Sequence, residues 1–431
     1  MSKIIYIFTY LFYVNTELIF HFNNINEYDD KSNILNNLKK NNIIINIEIG
    51  TPPQIIPSRL TFSNDFTYFK GSTLKGIYNE KISKTYKSNN ESKYFINEPF
   101  KKGIYSNDII YLKNNNNDNS KFENFSFILA EEKNSKDYDL YNGNIGLKIP
   151  NIIYFQNENF IKQLKLNNYI NDYIWTIKYN NDTQGDFIIG NLPSEYDKNY
   201  KNLILKKTRA FNDGFNLHWS LYFENITWNK SEIITFETET ILNIDSGVIL
   251  GTQDFKDKII DNFFQKFYSF SKCKLNIIDF EEEYFTCNKK VDITKFPSLL
   301  FFHKEFNYTF ELNYKDLFLE KDGVYYFLII FNRYQYNQWK LGKPFLKKYQ
   351  FVFNQDLKYI GFYNGEIIPF KPSISKIIIF ILIIIILFLF ILLICRYKNK
   401  TNKHKAQELI EDFDTDFSSN KTSYNPINES I

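Results

Sequence analysis

The sequence predicts an all-β globular region followed by one membrane-spanning helix, and three observations predict it. Short runs rich in Ile, Phe, Tyr and Val recur between Asn, Asp, Gly and Lys turns through the body of the chain, the pattern of strands. Helical stretches are few there, so alternating βα units are not expected. Ile377 to Cys395 then form an unbroken apolar run of 19 residues, enough at about 1.5 Å per residue to cross a hydrocarbon core of roughly 30 Å. Composition bounds the rest. The 431 residues carry 52 Lys+Arg against 49 Asp+Glu, a net charge of +3. That balance argues against nucleic acid as a partner, because little basic excess is available to displace counterions from phosphates. With 44% apolar and 19% aromatic residues, the chain can bury a large core. Three cysteines and four scattered histidines without paired spacing predict neither a disulfide-dense scaffold nor a metal site. No cofactor is expected.

The elements follow in chain order. Lys3 precedes Ile4 to Val14, a mostly apolar stretch of 11 residues. It is too short to span and fits the core of a secretory signal, so residues 1–20 are expected to be a signal peptide. Strands are expected at Ile43 to Ile49, Tyr173 to Tyr179, Asp186 to Ile189, Val324 to Phe331 and Phe351 to Phe353. The two helical stretches are Asn157 to Leu166 and Gln253 to Tyr268. Asn114 to Asn119 is a polar low-complexity run suited to a loop tip. Behind the apolar run, Arg396, Lys398, Lys400, Lys403 and Lys405 outnumber Lys371 and Lys376 before it. That bias puts the tail, 396–431, in the cytoplasm, and the chain becomes a single-pass type I protein of the secretory pathway. Acceptor triplets for N-glycosylation begin at Asn90, Asn124, Asn181, Asn225, Asn229 and Asn307, as suits a lumenal region. In the tail, Tyr424-Asn425-Pro426-Ile427, and Leu409-Ile410 beside Glu408, Glu411 and Asp412, have the form of sorting signals between cell surface and endosomes.

One long-range pattern occurs twice, and the second copy is the clearer. Asn243-Ile244-Asp245-Ser246-Gly247 places a carboxylate after an apolar strand and before a Gly turn; Trp339 to Leu346 and Tyr349 to Phe353 follow about 95 residues later. Ile47-Glu48-Ile49-Gly50-Thr51-Pro52-Pro53-Gln54, Asn142 to Leu147, Gly185 to Tyr196 and Phe296 to Phe301 stand in matching order. In these segments the chain resembles the pepsin-like aspartic proteases, from about Ile43 to Tyr363. The resemblance implies a two-lobed fold, with lobes at 41–193 and 194–366, ahead of the membrane helix that the apolar run predicts at 377–395. It implies Asp245 as the second-lobe catalytic acid, Ser246 and Gly247 as its supports, and a disulfide between Cys273 and Cys287. Ile145-Gly146 and Leu341-Gly342 are implied as the strands crossing beside each catalytic loop.

The departures decide the expected function. Peptide hydrolysis in this family uses two carboxyls about 3 Å apart that share one proton, one acting as base and the other as acid. The first acid belongs seven positions after Gln54, and that position is Thr61, followed by Phe62, Ser63 and Asn64 in place of Thr-Gly-Ser. A threonine hydroxyl is no base at neutral or acid pH. Val248 stands where a hydroxyl residue is expected, and the substrate-covering flap, at Tyr94 to Gly103, puts Ile96 in the Tyr position. The resulting reading is a membrane-anchored, catalytically inactive homologue that holds peptide in its cleft. Two alternatives stand beside it: an active endopeptidase pairing Asp245 with Asp65 or another acid, and a structural or adhesive surface protein.

Overall fold

A computed structural model describes residues 18–24, 34–94, 100–113, 119–133, 141–149, 158–210, 218–229, 232–268, 272–279, 281–333, 338–367, 382–399 and 402. The chain divides into two units, 1–367 and 368–431. The first is built on two sheets, of thirteen and ten strands among the described residues.

The architecture repeats one strand path. In the first half, Gln54–Thr61 runs parallel to Gly143–Gly146, bringing Thr61 beside Gly146. Gly143–Gly146 is antiparallel to Thr67–Lys70, which is parallel to Asn119–Lys133. In the second half, Glu232–Leu242 runs parallel to Trp339–Leu341, which is antiparallel to Ile249–Gly251, itself parallel to Val324–Asn332. Each path ends one strand at a loop and carries a second strand past that loop. The strand Ile43–Ile49 shows why these segments are strands: its isoleucines at 43, 45, 47 and 49 are buried, with less buried residues between them, the period of a half-buried sheet.

The sheets do not divide at residue 193. Leu203–Arg209, Val352–Asn354 and Tyr359–Ile367 return to the thirteen-stranded sheet. There Trp175 stacks on Phe353 with ring centres 4.2 Å apart, and Trp219 meets both edge-on. The core continues from one sheet into the other. Leu18–Asn24 is also a strand of this sheet, pairing with Gln184–Ile189. The expected signal segment, 1–20, therefore runs three residues into the fold; residues 1–17 lie outside the described residues.

The expected strands all form. The helix Phe160–Leu166 starts at Asn159, whose side chain accepts the Lys162 N–H, the usual N-cap arrangement. The stretch Gln253 to Tyr268 forms as a helix Gln253–Ile259, a π turn Ile260–Phe264 and a last turn Gln265–Tyr268. Of the polar run, 114–118 lie outside the described residues and Asn119 opens a strand. Cys273 and Cys287 are joined as expected, 14 residues apart, a loop whose closure contributes about 3 kcal/mol in the chain-entropy account.

His303 is 2% exposed, stacked on Phe306 at 4.2 Å, and its Nδ1 accepts the Phe306 N–H at 3.2 Å. Burial pushes its imidazole down from 6.5 to about 4, against a small opposing pull from Glu305. The folded pKa lies below the unfolded one, so this group's contribution is intact above about 6.5 and is lost as pH falls toward 4. His303→Phe is expected to reduce the stability lost between pH 7 and 4 by about 3 kcal/mol. Denaturant titrations of both proteins at the two pH values measure it. An unchanged difference would refute the assignment.

In the second unit, Leu382–Asn399 is one 18-residue apolar helix with none of it buried, roughly 27 Å long at 1.5 Å per residue. It overlaps the expected span from 382 onward, contains Cys395, and continues beyond it; 377–381 lie outside the described residues.

Candidate active site

The two loops at the ends of the repeated strand path face each other. Thr61 ends Gln54–Thr61 and is 2% exposed. Its Oγ1 accepts the Ser63 N–H at 3.0 Å, and its carbonyl accepts the Leu147 N–H at 2.8 Å. Phe62 turns its ring inward, edge-on to Trp175 at 5.7 Å and to Phe353 at 5.8 Å. Gly146 must be glycine, because a Cβ there would lie 2.4 Å from Asn64 Oδ1. Gly342 plays the same part in the second half, where a Cβ would lie 2.1 Å from the Val248 carbonyl. Both crossing strands expected from the sequence are thus pressed against their loops.

Asp245 stands in the second loop, its N–H donated to Asn243 Oδ1 at 3.0 Å. Three donors from the first half meet its carboxylate. Arg59 Nη2 donates to Oδ1 at 2.7 Å; the Phe62 N–H and Ser63 Oγ donate to Oδ2 at 3.0 and 3.3 Å. The pair is largely enclosed, with Arg59 20% and Asp245 13% exposed in their side chains. The Arg59 guanidinium also lies over the Tyr141 ring, 4.8 Å from its centre, an attraction between cation and ring face. Arg59 uses one of its five N–H donors on Asp245, and its buried Nε has no partner among the described residues. Among the described residues the site therefore holds one carboxylate and one guanidinium.

The N-terminal segment closes the far side. Asn41, fully buried, donates its N–H to the Asp245 carbonyl at 2.9 Å. Its side-chain amide reaches the Ile244 carbonyl at 2.7 Å and the Tyr179 hydroxyl at 2.9 Å. Burial pushes the Tyr179 phenol up, and Asp245 adds to the rise, so that hydroxyl stays protonated.

Ser246 and Gly247, implied as supports of Asp245, lie in its turn. The Ser246 hydroxyl donates to the Val248 carbonyl at 2.7 Å, within its own turn, and Asp245 is not its partner. Gly247 donates its N–H to the Lys39 carbonyl at 2.9 Å; a Cβ there would lie 1.9 Å from the Leu38 carbonyl. Val248 is buried with Ile34, Leu38 and Ile330. Asp65 is half-buried, and its carbonyl accepts the Asn159 side-chain amide at 2.8 Å. Among the described residues it is not a partner of the Asp245 carboxylate. Ile96 lies outside the described residues.

A family model, eukaryotic aspartyl protease, matches residues 43–364, about three-quarters of the chain. The chain belongs to the eukaryotic aspartyl protease family. No curated protein gives a significant match to it. Within an aspartyl protease frame, Arg59 is the residue that sequence reasoning missed. A signal for it existed. Ser58, Leu60 and Thr61 around it are buried, and a cation in such a strand needs a counter-charge. Asp245, the carboxylate expected at this site, is the one it finds.

Proposed function

We propose that this aspartyl protease homologue is catalytically inactive and holds peptide segments in its cleft without cleaving them. One observation carries the reading. Among the described residues the Asp245 carboxylate is engaged by Arg59, the Phe62 N–H and the Ser63 hydroxyl, and by no second acid. A base must offer a free oxygen to water, and its partner must offer a proton. Thr61 supplies no titrating proton, and its oxygen serves the Ser63 N–H. The family frame supports the binding half, since exposed strand edges around a cleft receive extended peptide by strand addition.

The chain is proposed to sit in the membrane through Leu382–Asn399, with the protease-like region on the secretory side. The charge bias at 396–405 supports that orientation. The tail patterns at 409–410 and 424–427 support cycling between surface and endosomes.

The test uses the full-length chain in nanodiscs and a fluorogenic peptide library between about pH 3 and 7, where a shared-proton pair would work. Intact peptides retained on the protein and no cleavage are expected. Cleavage that Asp245→Asn abolishes would overturn the inactive reading. Neither cleavage nor retention would favour a structural surface role.

A further inference from the structure

The strand Ser220–Trp228 changes its buried face along its length. Leu221 and Phe223 are buried on one face, Ile226 and Trp228 on the other, since successive side chains of a strand alternate. Asn225 stands on the first of these faces, just where that face leaves the core, and is half-buried. It opens the acceptor triplet Asn225-Ile226-Thr227. Its side-chain amide has no hydrogen-bond partner among the described residues. Asn181, in another triplet, is the contrast. Its Oδ1 accepts the Thr183 and Gln184 N–H groups at 2.8 and 2.9 Å, and its amide donates to the Gln184 side chain at 3.2 Å.

Aromatic residues flank Asn225 on both sides. It pairs with Phe236 of the strand Glu232–Leu242 and with Phe302 of the strand Leu299–His303. Directly opposite residues of an antiparallel pair share a face, with Cβ atoms about 4.5–5.5 Å apart. Phe302 is half-buried; Phe236 is 67% exposed and stacks on no other ring among the described residues. An open aromatic face thus lies beside an amide with no partner. A pyranose ring turns C–H groups toward such a face, whose negative charge attracts them.

We propose that Asn225 carries an N-linked sugar chain whose first N-acetylglucosamine lies over Phe236. The modification rests on the secretory-side placement proposed above and is independent of what the cleft does with peptide. The co-reactant is a sugar held on a lipid diphosphate, delivered by a transferase of that compartment. The Asn225 Nδ2 attacks the anomeric carbon. A C–N bond forms, the C–O bond to phosphate breaks, the lipid diphosphate leaves, and the amide gives up one proton. The short Asn linker then holds the sugar beside the opposite strand, where it takes the apolar face of Phe236 out of water.

The test uses the full-length chain made in a eukaryotic secretory host. Glycopeptide mass spectrometry is expected to find sugar on Asn225. Stability is read by urea titration in nanodiscs, with and without Thr227→Ala, which destroys the triplet and leaves Asn225 in place. Phe236→Thr is expected to raise the unfolding constant about fivefold more when the sugar is present than when it is absent, roughly 1 kcal/mol of coupling. Should either variant fail to fold, isotope-labelled N-acetylglucosamine serves. Its ring protons are expected to move upfield in NMR under the Phe236 ring current, and Phe236→Leu to abolish that shift. Equal costs of Phe236→Thr in both backgrounds, or sugar protons without the shift, would overturn the contact with Phe236. An unmodified Asn225 beside sugar on another triplet would overturn the site alone. No sugar on any triplet would overturn the secretory-side placement with it.

Discussion

A variant carrying Arg59→Ile and Thr61→Asp together is expected to cleave peptides between about pH 3 and 5, whereas Thr61→Asp alone is expected to stay silent. An aspartyl dyad works because two close carboxyls cannot both ionise, so one keeps a proton to donate. A guanidinium 2.7 Å from one of them removes that constraint. With Arg59 in place both acids would ionise, and the proton that polarises the scissile carbonyl would be gone. Restoring the acid therefore requires removing the cation. Phe62 is kept in the variant, because its ring packs against Trp175 and Phe353, and emptying such a site costs about 3–5 kcal/mol. Its N–H remains as a donor. Hydrolysis at least about 10²-fold above the wild-type background is expected, the low end for restoring an acid–base partner. Adding Asp245→Asn should abolish it. A folded double variant with no activity would mean that other cleft positions have also lost function; activity in Thr61→Asp alone would refute the role given to Arg59.

The fold was legible because its signals are local or nearly so. Alternation marks Ile43–Ile49 as a strand, and the glycines at 146 and 342 mark the crossings, where the backbone leaves no room for a Cβ. That Thr61 ends the strand which leads into the first loop could be read by counting along that strand. What lay hidden depends on contacts across the chain. Arg59 and Asp245 are 186 positions apart, and an arginine in a strand does not reveal which acid it meets. Asn41, at the expected start of the first lobe, and Lys40, just before it, reach the Asp245 loop; Lys40 forms a bridge with Ser246. Ser246 was implied only as a support of Asp245, and what its hydroxyl meets depends on the folded turn. There it donates to the Val248 carbonyl at 2.7 Å.

Removing Arg59 alone is expected to cost the folded state about 3 kcal/mol, the low end for breaking a buried ion pair, since this pair keeps some exposure. Arg59→Met leaves an Asp245 carboxylate, 13% exposed, with only the Phe62 N–H and the Ser63 hydroxyl. Asp245→Asn is expected to cost a comparable amount by stranding the guanidinium. The double variant should cost clearly less than the sum, because replacing both members of such a pair is often close to neutral. Urea titrations of the four proteins give the coupling, expected at about 2 kcal/mol. Additive effects would mean that solvent screens the pair and that Arg59 merely lies near the site. The cycle also separates two reasons for the presence of Asp245. Groups kept for catalysis commonly strain the fold, and replacing them is neutral or stabilising. A counter-ion behaves in the opposite way. If Asp245→Asn destabilises the chain and Arg59→Met cancels much of that loss, Asp245 is there to neutralise Arg59.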